Sequence, residues 1–130
     1  PRAVLTPHDG EFASLTGAAP GPDRIQAARS LAAEAGAVVL LKGPTTVVAD
    51  PGGAGLLVTA GSPRLATAGT GDVLSGTIAA FAARGLPLVE AAGLAAHVHG
   101  RAAALGPPEG LVAGDLADLI GRWLSDVRRG

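Results

Sequence analysis

Residues 23–41 read Asp23-Arg24-Ile25-Gln26-Ala27-Ala28-Arg29-Ser30-Leu31-Ala32-Ala33-Glu34-Ala35-Gly36-Ala37-Val38-Val39-Leu40-Leu41, a helix that runs straight into a strand. Pro22 and Asp23 suit a helix start, Ile25, Ala28, Leu31, Ala32 and Ala35 share one face, and Gly36 is a stop. The unbroken apolar run Ala37 to Leu41 is the pattern of a strand covered on both faces. A helix feeding such a strand implies an α/β unit.

The elements on either side agree with that class. Upstream, Ala3-Val4-Leu5 is a short buried strand halted at Thr6-Pro7, because proline cannot donate to a ladder and disfavours helix for the residue before it. Asp9 to Thr16 carries Phe12 and Leu15 three apart and ends at Gly17, which gives about two helical turns. Downstream, Thr45 to Ala49, the turn Asp50-Pro51-Gly52-Gly53 and Leu56 to Thr59 read as a β-hairpin that decorates the sheet edge. A short segment around Leu65 follows. Three helices complete the chain: Val73 to Ala83 with Gly85 as its stop, Pro87 to Leu105, and Asp115 to Val127. The last carries Leu116, Leu119, Ile120, Leu124 and Val127 inward.

Composition bounds what such a chain does. It has 130 residues, 48% apolar, with 28 alanines and a formal net charge of -1, which suits one domain or part of one. With no cysteine there is no disulfide framework, no thiolate nucleophile and no cysteine-ligated metal, so an intracellular, cytoplasmic setting is expected. The near-neutral charge and scarce aromatics speak against nucleic acid as a partner. Apolar stretches such as Ala37 to Leu41 and Ile78 to Ala83 are far too short to cross a bilayer, and no membrane association is expected. The chain opens at Pro1 and contains no methionine, so it reads as a piece of something longer.

Chemistry concentrates in Ala66-Thr67-Ala68-Gly69-Thr70-Gly71-Asp72-Val73-Leu74-Ser75-Gly76. Glycines beside a helix start leave backbone amides open, and with the positive end of the helix dipole they form an anion pocket suited to phosphate. Leu74 three places after Gly71 breaks the dinucleotide fingerprint, and no Lys-Ser or Lys-Thr pair follows to make a P-loop. A carboxylate at the lip of a phosphate site is repelled by its ligand unless it has a task, such as accepting a proton from an attacking hydroxyl. Asp72 is therefore either that base or simply a helix cap, and composition does not choose between them.

Three stretches in order, Leu5-Thr6-Pro7-His8-Asp9-Gly10-Glu11, then Leu41-Lys42-Gly43 with Thr46, then Leu65 to Gly76, resemble successive motifs of the ADP/ATP-dependent NAD(P)H-hydrate dehydratase family. His99-Gly100 and Leu111-Val112-Ala113-Gly114-Asp115-Leu116 resemble its closing segments, so the likeness covers nearly the whole chain. The resemblance implies a ribokinase-like α/β fold, three layers with a mainly parallel sheet flanked by helices, of which residues 1–130 form the C-terminal half. It implies nucleotide-dependent dehydration of hydrated NADH or NADPH, by phosphorylation of the ring hydroxyl and elimination of phosphate. ADP or ATP would be the donor, accompanied by Mg²⁺ on its phosphates.

Carried over position by position, the resemblance makes Asp72 the base at the reacting hydroxyl and a contact to the hydrated nicotinamide. Gly69, Thr70 and Gly71 would supply phosphate-facing backbone, and Gly71 would also lie against the nucleotide. Lys42, Gly43, Pro44, Thr45 and Thr46 match the segment lining the nucleotide pocket, where the Lys42 ammonium would neutralise phosphate charge. His8 matches a contact to the hydrated dinucleotide, a role that displaces the plainer reading of a surface loop histidine. Two departures stand out: Asp9 where the family has proline, and Ser62 where asparagine is common. Neither touches the glycine and aspartate core.

Other polar residues read more plainly. His97 and His99 are two apart on a helix, hence on different faces, and are structural; no metal cluster is encoded. Glu11 either contacts substrate or, as the plainer reading has it, starts its helix favourably with the dipole, and Arg122, Arg128 and Arg129 form a solvated helix end. The alternatives to the dehydratase are a small-molecule kinase of the ribokinase superfamily and, for the isolated chain, a nucleotide-binding module without turnover. The expected partners are the missing N-terminal half and further copies in a homo-oligomer.

Overall fold

The computed structural model describes residues 1–61, 65 and 69–130. Ser62 and the leading Ala66-Thr67-Ala68 of the glycine-rich stretch lie outside the described residues. Among the described residues nine elements follow in order: β1 (Val4–Leu5), α1 (Asp9–Thr16), α2 (Arg24–Ala35), β2 (Val38–Leu41), β3 (Thr46–Ala49), β4 (Gly55–Val58), α3 (Thr70–Ala83), α4 (Leu88–Ala104) and α5 (Ala113–Arg129). Among the described residues no helix is long and apolar enough to cross a membrane.

The strands form one sheet in the order β1-β2-β3-β4. β1 and β2 are parallel, Val4 opposite Val38, with α1 and α2 making the crossover that a parallel pair needs. The other two pairs are antiparallel, so this part of the fold carries a mixed sheet where a mainly parallel one was expected. Residues 42–45 are too few for a crossover, and the chain can only turn back on itself. The expected hairpin is present and forms one edge of the sheet. Val47, Val48 and Ala49 are buried and β3 pairs with strands on both sides, which leaves β4 as the outer strand.

Strand alternation divides the core into two layers, one on each face. Val38, Leu40, Val48 and Val58 face α3 and α4, meeting Leu74, Ile78, Ala92, Ala95 and Ala96. Val39, Leu41, Val47 and Ala49 face α1 and α2, meeting Phe12, Ala28, Leu31 and Ala32. Small alanines bring both helix layers close to the sheet, which completes a helix–sheet–helix sandwich. A third cluster, centred on Leu116 and Leu119, packs α5 on α4 at Ala102 and Ala103.

Helix ends follow local chemistry. His8 and Asp23 cap α1 and α2 by accepting from the N–H groups of Glu11 and Gln26, and both helices stop at glycines in the left-handed region. Asp115 lies inside the start of α5 and accepts from the Val112 N–H at 3.1 Å. Several apolar positions expected inside are not. Leu15 is 58% exposed, Ile25 40%, Leu124 38% and Val127 56%, and Ala35 is exposed too, because each stripe outlasts the surface it packs on.

Candidate functional site

The C-terminal end of β1 and the start of α3 face each other across an open cleft of about 670 Å³. Val4, Leu5, Thr6 and Pro7 form its floor. One wall carries Glu11, Ser14 and Leu15 of α1 together with Lys42 at the end of β2; the other carries Gly69, Gly71, Asp72 and Ser75.

The α3 wall is main chain. Gly69 occupies the N-cap position with φ +86°, a conformation that a side chain disfavours, and it makes no side-chain cap. The helix therefore starts at Thr70, three residues before the sequence pattern implies. Asp72 is its third residue rather than its cap; its N–H donates to the Gly69 carbonyl at 3.2 Å and its exposed side chain borders the cleft. At the second helical position, Gly71 has no intrahelical acceptor for its N–H, so an anion there meets that amide and the dipole. Thr70 is buried, its Oγ1 donating to the Leu65 carbonyl at 2.7 Å.

A buried histidine supports this turn. His99 of α4, 5% exposed, sets its Nε2 3.0 Å from the Thr70 carbonyl. Because a carbonyl only accepts, the ring holds its proton on Nε2. Burial pushes the imidazole pKa below its ordinary value of 6.5, the bond to Thr70 opposes that, and the Lys42 charge adds to it. The neighbouring Gly100 allows α4 to touch residue 60: a Cβ there would run into the Ala60 carbonyl. His97 turns away and meets Trp123 edge to face, with ring centroids 5.8 Å apart.

The opposite wall is made of charged side chains. Lys42 Nζ stands 3.8 Å from Glu11 Oε2 and 3.4 Å from the point where a Cβ on Gly71 would sit, so the ammonium leans over the cradle. Glu11 also accepts from the His8 N–H at 2.9 Å while His8 Nδ1 accepts from the Glu11 N–H, a reciprocal cap of α1. The His8 backbone bond lowers the Glu11 pKa, slight burial opposes it, and the Lys42 and His8 charges lower it further.

Lys42, Gly69, Gly71 and Asp72 therefore share one cleft, as the sequence reading places them. His8 stands at its edge, exposed and joined to it through Glu11. Gly43, Pro44, Thr45 and Thr46 lead away from Lys42 into β3, and the Pro44 carbonyl abuts Gly61, 2.6 Å from where a Cβ would sit. The sequence reading favoured a helix-dipole role for Glu11 over a substrate contact and missed Ser14, Leu15 and Ser75. Helical spacing carries the signal for all three, since Ser14 and Leu15 are three and four residues from Glu11 and Ser75 is three from Asp72. No local pattern announces the contact of His99 with Thr70. Among the described residues no three His, Asp or Glu side chains group to hold a metal ion.

Residues 1–125 match the family described as NAD(P)H-hydrate dehydratase. The chain is 54% identical over 125 residues to the bifunctional NAD(P)H-hydrate repair enzyme of Mycobacterium leprae, covering 96% of this chain and 26% of that protein. It is 43% identical to the ADP-dependent (S)-NAD(P)H-hydrate dehydratase of Neisseria meningitidis, covering 93% of this chain and 43% of that protein. The ADP/ATP-dependent NAD(P)H-hydrate dehydratase of Bacillus subtilis, crystallised with ATP and Mg²⁺, superposes with a TM-score of 0.88 at 34% identity, over 95% of this chain and 48% of that one. A ribokinase-like protein of Enterococcus faecalis superposes with a TM-score of 0.76 at 28% identity, over 92% of this chain and 43% of that one. The chain thus spans less than half the length of each of these relatives.

Proposed function

The chain belongs to the NAD(P)H-hydrate dehydratase family, and from that premise we propose that it forms the C-terminal half of a ribokinase-like domain that repairs hydrated NADH and NADPH. The observation that carries this reading is the convergence of Lys42, Gly69, Gly71 and Asp72 on one cleft. A phosphoryl-transfer site needs a charge cradle, a cation and a base, and these residues supply all three.

The ring hydroxyl of the damaged cofactor is a poor leaving group, because the conjugate acid of hydroxide has a pKa of about 15.7. Phosphorylation replaces it with a group whose second pKa is about 6. In this reading Asp72 takes the hydroxyl proton as the hydroxyl oxygen attacks the terminal phosphorus of ADP or ATP, and the nucleotide leaves one phosphate shorter. The ring nitrogen then pushes out phosphate with cleavage of the carbon–oxygen bond, while a proton leaves the adjacent ring carbon to restore the double bond. Amides at Gly69 to Gly71 and the Lys42 ammonium hold the transferred charge, Gly43 to Thr46 border the nucleotide, and His8 meets the hydrated dinucleotide. Mg²⁺ would travel on the nucleotide phosphates, its common mode.

The cleft is open, and β1 pairs only with β2 among the described strands. A bare strand edge and an exposed Leu15 on the wall call for cover, which the relatives' greater length would provide. The isolated chain is accordingly proposed to be inactive, and to self-associate or stay docked to an N-terminal half. A monodisperse, fully active monomer of this chain would refute that. The cytoplasm, where reduced nicotinamide cofactors and adenine nucleotides meet, is the compartment the reading implies.

The test is to incubate the completed domain with hydrated NADH, ADP or ATP and Mg²⁺. Return of reduced-nicotinamide absorbance supports the dehydratase, a stable phosphorylated product favours a small-molecule kinase, and no turnover with nucleotide bound reduces the chain to a binding module.

A further inference from the structure

Arg24, the first residue of α2, reaches back to the site wall. Its Nη1 donates to Asp9 Oδ1 at 2.8 Å and its Nη2 donates to the Lys42 carbonyl at 2.8 Å. The Lys42 N–H donates to the Pro7 carbonyl at 2.9 Å, so both main-chain polar groups of Lys42 are held. Arg24 Nη2 lies 2.6 Å from where a Cβ on Gly43 would sit, so the guanidinium lies against the chain only because residue 43 has none. The Arg24 side chain is 26% exposed, and its Nε is buried without a hydrogen-bond partner, a desolvation cost that the two Nη contacts outweigh.

We infer that Arg24 is a positioning residue for Lys42, with Asp9 holding Arg24 in turn. Lysine has a flexible four-carbon stem, so where its ammonium can reach depends on where its main chain is anchored. A planar guanidinium serves two acceptors from one fixed fork, and a lysine in its place could not serve both with that geometry. Asp9 thus joins the start of α1, the start of α2 and the end of β2 through one cation. The consequence for ligand binding rests on the polyphosphate reading of the cleft; the consequence for Lys42 itself does not.

The test uses ¹⁵N spectra of the ligand-free completed domain in the Arg24→Lys and Asp9→Pro variants, followed by titration with ADP. Asp9 occupies the first helical position, where proline is well tolerated, so Asp9→Pro removes the carboxylate and keeps the helix. In both variants the Gly43 and Gly71 amide resonances should move while those of Leu116 and Leu119 in α5 hold. ADP affinity should fall about tenfold in Arg24→Lys, the scale of one lost hydrogen bond from a charged group, and less in Asp9→Pro. In the completed enzyme the change should fall on the nucleotide KM more than on kcat. Gly43 and Gly71 resonances left at their wild-type positions would overturn the inference, as would equal ADP affinity in all three proteins. If the wild-type completed domain binds no ADP, the polyphosphate reading fails and the spectra still decide the role of Arg24. Should Arg24→Lys not fold, Asp9→Pro and Gly43→Ala, which crowds Nη2, carry the same comparison.

Discussion

On one wall of the cleft the Lys42 ammonium stands beside the Glu11 carboxylate, with Arg24 holding the Lys42 carbonyl behind them, while on the other Gly69 to Gly71 present main chain backed by the buried His99. The first wall is half-exposed, so its interactions are screened by salt and its side chains can rearrange around a ligand. The second is fixed by helix geometry and by contacts behind it, and fixed dipoles stabilise developing charge without reorganising. Affinity should therefore be graded and salt-sensitive along the first wall, whereas the second should fail abruptly when its geometry is disturbed.

The strongest way to break this contrast is at the carboxylate of the main-chain wall. Asp72→Asn in the completed enzyme should lower turnover by roughly 10²- to 10⁴-fold with ADP affinity largely kept, as steady-state kinetics and calorimetry would show. Normal turnover would take Asp72 out of the chemistry.

Next in size is the support behind that wall. Gly100→Ala forces a methyl into the Ala60 carbonyl and should cost about 2–3 kcal/mol in urea unfolding, the upper range for overpacking. Glu11→Gln on the charged wall keeps a side chain able to complete the α1 cap, and should stay within about 0.5 kcal/mol. Equal losses in the two variants would erase the distinction between the walls.

Lys42→Met sharpens the same contrast through ligand affinity. It should weaken ADP binding about tenfold and flatten its dependence on salt, since one charge-assisted contact to phosphate is gone. Unchanged salt dependence would move the polyphosphate away from Lys42.

The smallest effect is in pH. His99 has a folded pKa below its ordinary 6.5, so the unfolded chain takes up a proton first as pH falls. Its contribution is complete above that value and is lost as pH drops through 6.5 toward the lower folded pKa. The melting temperature should decline over this interval in the wild type and decline less in His99→Gln, which keeps a donor for Thr70. Glu11 adds a separate acid limb, its contribution present above its ordinary 4.5 and lost as pH falls through its lowered folded pKa. Identical profiles for wild type and His99→Gln would show that His99 contributes nothing to this limb.

Much of this molecule was legible in the chain because its signals are local. A capping aspartate, a terminal glycine and a helical stripe lie within a few residues of one another, which is why α1 and α2 begin and end within a residue of where sequence puts them. The same holds for the cradle, since glycines at a helix start mark open amides wherever the helix packs. Other features were less legible. Leu15 and Val127 continue apolar stripes, yet they are exposed because exposure depends on how far the neighbouring surface extends.

By itself the sequence determined the order of elements, the doubly covered strand at Val38–Leu41 and the pairing of a glycine turn with Asp72, since each is written in adjacent residues. Only the tertiary structure decided that β3 sits inside a mixed sheet, that Lys42 leans on Gly71, that Arg24 grips the Lys42 carbonyl, and that His99 holds Thr70. Each of these joins positions far apart in the chain through a specific distance or bond. Periodicity and propensity record what a residue's neighbours in sequence do, and carry no information about such distances.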